Sequence, residues 1–246
     1  MSAAERLLKR HQIVDVPSRR LVLAWDLPTR LFKWALVLLV ITAWVSSGFD
    51  DPNMTVHKAA GYGILTLVVY RIFWGIVGGS TARFSTFVKS PAAVWAHLRA
   101  VHARTERPYL GHNPVGGLMI VALLVACAIQ VMLGLVSSDG VLAAGPFADA
   151  VGDVWSSRAA ALHARWFYMI LALALVHIAV NLFHQFVKRD NLIGAMVTGR
   201  KDARPYADGD EAVEGSPLIA MLCLCVAVAV VTLAVILPGG QFFSGL

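Results

Sequence analysis

Five apolar segments, each about long enough to cross a lipid bilayer, constrain this chain more than any other feature of its sequence. A helix needs about 20 apolar residues to span roughly 30 Å of hydrocarbon. The alternating polarity of barrel strands is absent, so we expect helices that satisfy their own backbone hydrogen bonds. The predicted class is an all-α integral membrane protein. The segments lie near residues 31–48, 59–79, 115–137, 160–187 and 217–237.

Composition agrees with a membrane location and argues against nucleic-acid binding. Hydrophobic residues make up 58% of the chain and charged residues only 15%. The net charge is +6, but the basic residues flank the apolar segments instead of forming a patch with exposed aromatics. We therefore expect contact with membrane lipid and none with nucleic acid. Residues 1–24 show no signal-peptide pattern, so we expect the first span to be retained.

Lysine and arginine concentrate in three segments: before the first span, between the second and third, and after the fourth. Basic loops normally stay on the cytoplasmic side. The remaining loops are rich in aspartate, which suits the opposite side. The predicted topology has a cytoplasmic N-terminus and a C-terminus outside.

Two histidines of the fourth span indicate cofactor binding, because histidine is rare inside membranes. His163 and His177 are 14 residues apart, which places them about 40° apart around a helix and roughly 21 Å apart along it. They therefore share a face, one near the outer surface and one near the inner. A structural alternative is an interfacial His163 and a hydrogen-bonded core His177.

The second span carries His57 at its outer end, at the depth of His163 if the two helices are antiparallel. Two neutral imidazoles could then clasp a planar macrocycle, as in a low-spin b-type haem. Gly61 and Gly63, about one turn further in, would let the ring approach the backbone, although small residues also serve helix packing.

Arg71 follows His57 by 14 residues, so it shares that face and lies at the depth of His177. A haem propionate would supply the counter-charge that a guanidinium inside a span needs. The alternative is an arginine that extends to the inner interface.

Near the third span we expect Asn113 to cap a helix that starts at Pro114, with a quinone or propionate role for His112 as one option. We expect Trp25, before the first span, to lie in an interfacial belt.

Several segments resemble the bacterial cytochrome b561 family, which includes cytochrome b subunits of nickel-iron hydrogenases. The resemblance runs from about residue 20 to residue 202 and implies a four-helix bundle with two b haems in a bacterial inner membrane. By resemblance, His57 and His163 are the outer haem ligands and His177 is one inner ligand. The segments that carry it are "AWDLPTRLFKWALVLLV", "VHKAAGYGILTLVVYRIFWGIVGG", "ARFSTFVKSPAAVWAHL", "YLGHNPVGGLMI", "LHARWFYMILALALVHIAV" and "VKRDNLIGAMVTGRK".

One position departs from the family pattern. The family has a histidine, the other inner haem ligand, where this chain has Lys33. A neutral lysine amine can ligate haem iron, because burial and the metal charge both favour loss of its proton. Alternatively His184 or His112 ligates the inner haem. In the third interpretation that haem is five-coordinate or absent, and Lys33 extends to lipid phosphate.

The resulting organisation is a cytoplasmic tail (1–24), a four-helix dihaem domain (25–202), a polar linker (203–216) and a fifth transmembrane helix with an outer tail (217–246). We expect the fifth helix to face lipid or to dock another subunit. The three cysteines, all inside spans, are expected to be small apolar filler. They are Cys127, Cys223 and Cys225.

The leading functional hypothesis is an electron-transfer subunit. It would pass electrons between a periplasmic cytochrome c, dehydrogenase or hydrogenase-type subunit and quinone or an inner acceptor. A second hypothesis is a self-contained haem oxidoreductase acting on quinone, superoxide or ferric chelate. A third is a membrane anchor with degenerate haem sites.

Overall fold

The computed structural model describes residues 20–51, 53–141 and 143–239 and is mostly helical. Five helices, α1, α2, α5, α7 and α9 with its π-helical continuation, are long and apolar enough to cross a membrane. Parts of both predicted tails, 1–19 and 240–246, lie outside the described residues. In chain order the elements are β1 (Leu21–Leu23), α1 (Leu27–Ser46), α2 (Thr55–Val77), α3 (Phe84–Phe87), α4 (Pro91–His102), α5 (Pro114–Leu135), α6 (Ala148–Val151), α7 (Asp153–Phe186), α8 (Leu192–Thr198), β2 (Arg200–Asp202), α9 (Pro217–Val231), a π-helical segment (Thr232–Ile236) and α10 (Leu237–Gly239).

Four of the long helices begin within four residues of the predicted spans, but α7 begins seven residues earlier, at Asp153. Its first turns carry Asp153 and Arg158, and such charges lower the apolar signal without preventing a helix. At 1.5 Å per residue, its 34 residues extend for about 51 Å, well beyond the hydrocarbon thickness. Hydropathy therefore located the part of α7 inside the bilayer rather than the whole helix.

Side-chain caps fix several helix starts. Asn113 accepts a hydrogen bond from the Gly116 amide at 2.7 Å, and Pro114 follows at the first helical position, so this prediction is confirmed. Asp26 caps α1 in the same way, accepting from the Thr29 amide at 3.0 Å. These caps satisfy amides that a helix start leaves without partners.

The bundle is organised around α2, which packs against α1, α5 and α9, while α7 packs against α5. Within the described residues, the backbone of α7 does not run alongside α1 or α2. Side chains cross this space instead, as in the Trp44–Phe167 pair, whose ring centroids are 5.7 Å apart. The main apolar core lies between α2, α5, α7 and α9 and contains Ile64, Leu65, Val68, Ala126, Cys127, Val131, Leu135, Ile170, Val231 and Val235.

The fifth helix packs against the bundle along one narrow face. Small or medium side chains on that face, including Ala220, Cys223 and Ala227, are buried against Phe32 and Trp74. Other side chains of α9 remain exposed. Cys225 is on an exposed position, whereas Cys127 and Cys223 pack in apolar cores as small side chains.

The three basic segments of the sequence lie together at one end of the bundle. We call residues 20–26, 78–113 and 188–216 the basic layer. Strands β1 and β2 pair antiparallel within it, and the Lys201 amine donates to the Tyr109 carbonyl at 3.0 Å. The Ala24 and Trp25 amides donate to the Gly199 carbonyl. This layer covers the bundle end that holds the inner candidate residues.

Candidate functional site

The structure brings the imidazole rings of His57 of α2 and His163 of α7 together in an edge-to-face arrangement. Their ring centroids are 5.9 Å apart and the ring planes make an angle of 73°. Both side chains are half-buried. The two helices therefore place two imidazoles at one depth across the space between α2 and α7.

Backbone carbonyls of two other helices orient these imidazoles. His57 Nδ1 lies 2.8 Å from the Ala43 carbonyl of α1, and His163 Nδ1 lies 2.9 Å from the Gln130 carbonyl of α5. A carbonyl only accepts, so each Nδ1 must carry the proton and each Nε2 keeps its lone pair. Such second-partner hydrogen bonds are typical of metal-ligating histidines. Both histidines are thus held in the tautomer in which Nε2 can ligate a metal ion.

Two residues of α5 that sequence reasoning missed complete the outer site. The Gln130 amide nitrogen lies 3.2 Å from His163 Nε2, and its amide oxygen is buried without a partner among the described residues. A Cβ on Gly134 would lie 3.1 Å from His163 Cε1, so glycine permits the imidazole to lie this close to α5. Gln130 is the only side-chain amide in α5, which was the available sequence signal.

The two glycines near His57 differ in their surroundings. A Cβ on Gly63 would lie 2.9 Å from Leu39 Cδ1, so Gly63 allows α1 and α2 to pack closely. A Cβ on Gly61 would meet no atom within 4 Å, although the position is half-buried. A flat ligand bound by His57 requires open space one turn along the helix, and Gly61 leaves such space.

At the other end of α2, Arg71 is buried, with 2% of its surface exposed. Its Nη2 donates to the Ala82 carbonyl at 2.9 Å, while its Nη1 is buried without a partner among the described residues. The guanidinium carbon lies 4.8 Å from the Phe84 ring centroid and 5.6 Å from that of Phe87. Segment 78–87 therefore encloses the guanidinium, and an N–H group remains for an anionic acceptor.

Lys33 points into the protein at the basic layer. Its Nζ lies 3.8 Å from the centroid of the Trp25 ring and 3.2 Å from Met196 Sδ. Trp25 is itself 4% exposed, so the expectation of an interfacial belt position was wrong. The chain folds back at β1 and buries Trp25 within the basic layer, which the pattern of apolar residues does not reveal. Lys33 thus contacts aromatic and thioether groups.

His112 lies on the other side of Trp25, with the two ring centroids 4.7 Å apart. Its Nδ1 is buried without a partner among the described residues. Burial lowers the pKa of His112 well below the usual value, and the charges of Lys33 and Arg71 act in the same direction. His112 is therefore neutral at pH 7 and belongs to the same cluster as Lys33.

The remaining inner candidates lie on α7. His177 is half-buried, and its backbone carbonyl accepts from Asn181 Nδ2 at 2.7 Å. It is close enough to His112 and Lys33 to interact electrostatically with both, which places it near that cluster. His184, one of the alternative ligands, packs its ring beside Phe183, with centroids 6.1 Å apart.

Together these residues fit a haem at the outer site. Two opposed imidazoles whose Nε2 atoms carry no proton would hold the iron, with the Gln130 amide, now 3.2 Å from His163 Nε2, giving way to it. The open space at Gly61 and the separation of α7 from α2 accommodate a flat ring. At the inner end, the unpartnered Nη1 of Arg71 suits a propionate, while the ligand set there is less complete.

Comparisons with known proteins give one consistent result. The sequence matches the family described as prokaryotic cytochrome b561 over residues 24–199. It is 25% identical to a probable Ni/Fe-hydrogenase B-type cytochrome subunit of Azotobacter vinelandii, covering 75% of this chain and 91% of that protein. Proteins of the same description in Azotobacter chroococcum mcd 1 and Rhizobium leguminosarum bv. viciae are 25% and 20% identical, covering 75% and 74% of this chain and 91% and 90% of theirs. No solved structure matches.

Proposed function

This chain belongs to the prokaryotic cytochrome b561 family, and we propose that it is a dihaem cytochrome of a four-helix bundle plus one added helix. Membrane electron transfer follows from the family and from the b-type cytochrome relatives. In the proposal, electrons pass between a periplasmic redox partner and quinone or an inner acceptor. The observation that carries the proposal is the His57–His163 pair, with both Nδ1 atoms bonded to backbone carbonyls.

At the outer site, this chain's residues bind and orient. When bound, a b-type haem supplies a one-electron iron couple. His57 and His163 would hold the iron through Nε2, while the Ala43 and Gln130 carbonyls keep both rings in the ligating tautomer. Two strong nitrogen ligands favour electron transfer over binding of oxygen species. This argues for a carrier more than for the alternative oxidoreductase.

At the inner site, we propose that His177 and Lys33 would hold the iron of a second haem and that Arg71 would pair with one of its propionates. Lys33 Nζ is turned towards the cluster that includes His112 and Met196. Its contact with the Trp25 ring favours an ammonium, so ligation requires the amine to lose its proton and to leave that ring. Met196 Sδ lies 3.2 Å from the amine and is a competing ligand of different chemistry.

The redox partner in this proposal is a hydrogenase-type subunit, because the relatives carry that description. The proposed location is the bacterial inner membrane with the basic layer facing the cytoplasm, as the positive-inside rule predicts. The outer haem then lies near the periplasmic partner. A periplasmic cytochrome c or another dehydrogenase would use the same end of the bundle.

Spectroscopy on the purified chain tests the proposal. We expect two haems per chain in a pyridine haemochrome assay, and reduced-minus-oxidised spectra of the b type. Copurification with a hydrogenase-type subunit would support the carrier role, whereas rapid turnover with quinone or ferric chelate by the chain alone would favour the oxidoreductase. A colourless polypeptide, after expression with ample haem, would exclude both and leave the membrane anchor.

Replacing Arg71 by methionine should lower the reduction potential of the inner haem, because a buried positive charge stabilises the reduced, more negative state. A Coulomb effect of about 1.4 kcal/mol corresponds to roughly 60 mV for one electron. Redox titration of the two haems measures the shift. Arg71→Lys should recover part of it, and Arg99→Met, which removes an exposed arginine of α4, should leave both potentials unchanged. Equal potentials in Arg71→Met and the native chain would disprove the propionate assignment.

A further inference from the structure

Helix α4 presents an apolar face that the rest of the protein does not cover. Trp95 is 61% exposed and Leu98 44% exposed, and Val101 is also exposed. Successive members are three residues apart, so they lie within about 120° of one another around the helix. No residue of α4 is buried. An exposed apolar face of this kind marks an interaction surface.

The opposite face of α4 is turned towards the protein. Ala93, His97 and Ala100 line a cavity of about 420 Å³ together with Tyr109 and Pro114. The His97 and Tyr109 ring centroids are 5.5 Å apart. Burial lowers the pKa of His97, so its imidazole is neutral at pH 7, and the charged residues that line the cavity, Lys89, Glu106 and Arg107, lie outside α4. Because this side of α4 faces the cavity, Trp95 and Leu98 point away from the protein.

The position of α4 in the chain places it at the surface of the bilayer. The transmembrane helix α2 ends at Val77, and α5 begins at Pro114. Helix α4 lies between them and packs against α5. Ser90 caps it, accepting from the Ala93 amide at 3.3 Å, and Arg104, with φ of 57°, ends the last turn. A short helix held between the ends of two spans lies at their level.

The charge around α4 is suited to anionic lipid. Residues 78–113 contain five lysines and arginines and one acidic residue, Glu106. That carboxylate is paired with Lys188 of the segment after α7. Four cations therefore remain exposed around α4: Arg99 and Arg104, and also Lys89 and Arg107, which line the cavity.

We infer that α4 is an in-plane membrane helix that binds acidic phospholipid. Trp95, Leu98 and Val101 enter the boundary between headgroups and acyl chains, and the exposed cations contact lipid phosphates. A tryptophan at this level occupies the environment that its amphipathic ring prefers. The inference depends on the membrane location and not on either haem.

The test uses the full chain in lipid nanodiscs that contain phosphatidylcholine and phosphatidylglycerol. In a Cys225→Ser background, Trp95→Cys and Ala93→Cys are each labelled with an environment-sensitive fluorophore. Ala93 is the matched control, because it belongs to the same helix but faces the cavity. We expect nitroxide lipids to quench the label at position 95 several-fold more than the label at position 93. Aqueous iodide should quench the label at position 95 less than it quenches the same fluorophore free in solution.

Two results would overturn the inference. The first is a position-95 label that iodide quenches freely and nitroxide lipids do not. The second is a label protected from both quenchers by a bound protein subunit, which would make this face a protein interface. The acidic-lipid part is tested separately: quenching should weaken with phosphatidylcholine alone, with high salt, or with the pair Lys89→Glu and Arg99→Glu. Unchanged quenching in all three would refute it.

Discussion

Alanine in place of either His57 or His163 should reduce the haem content of the purified chain from the two per polypeptide that we propose to one. Each imidazole supplies one of the two axial bonds in the proposed outer site, and alanine offers no donor. The partner histidine alone would have to hold the ring through a single bond. A pyridine haemochrome assay, normalised to protein concentration, measures the loss.

The matched control is His102→Ala, which removes an exposed histidine of α4 and should leave both haems in place. The two ligand variants should also lose the same spectral component, since both remove the same haem. Full haem occupancy in both His57→Ala and His163→Ala would exclude the pair as ligands. Loss of different components in the two variants would show that they serve different sites.

The long helices could be predicted because a bilayer imposes a simple rule on sequence. Every backbone group must be paired inside hydrocarbon, so apolar length alone identified the starts of α1, α2, α5 and α9 to within four residues. The early start of α7 was not predicted, because a helix that leaves the bilayer no longer needs apolar side chains. Hydropathy reports the solvent around a helix and not its ends.

The approach of His57 and His163 was also predictable, because antiparallel helices place residues at the same depth in the bilayer. Their tautomers were not, since the acceptors are the backbone carbonyls of Ala43 and Gln130. Every residue has a carbonyl, so no residue type marks the ones that accept these bonds. The same holds for Arg71: the enclosing Phe84 and Phe87 come from a segment whose return over α2 has no sequence signature.

The basic layer shows the largest gap between sequence and structure. Trp25 was expected at the bilayer interface, yet it is buried between Lys33 and His112. Its position depends on the pairing of β1 with β2, which are about 180 residues apart in sequence. Long-range strand pairing of this kind is invisible to local patterns. The contacts of Lys33 therefore could not be predicted without the fold.

Histidine in place of Lys33 should convert the inner haem to two imidazole ligands. An imidazole at this position binds iron without first losing a proton from an ammonium. The spectrum of the inner haem should change while that of the outer haem stays the same. Electron paramagnetic resonance and near-infrared spectra of the oxidised protein separate amine, imidazole and thioether ligands.

Three companion variants make that result decisive. Lys33→Ala should leave the inner haem high-spin or reduce its occupancy if the amine is a ligand, whereas Met196→Ala should do so if the thioether is. Trp25→Phe keeps an aromatic ring beside the amine and should preserve the ligand set. An inner-haem spectrum identical in Lys33→His, Lys33→Ala and the native chain would exclude lysine ligation. Lys33 would then act as an ammonium that stacks on Trp25, and its charge would raise the inner haem's potential without contact with iron.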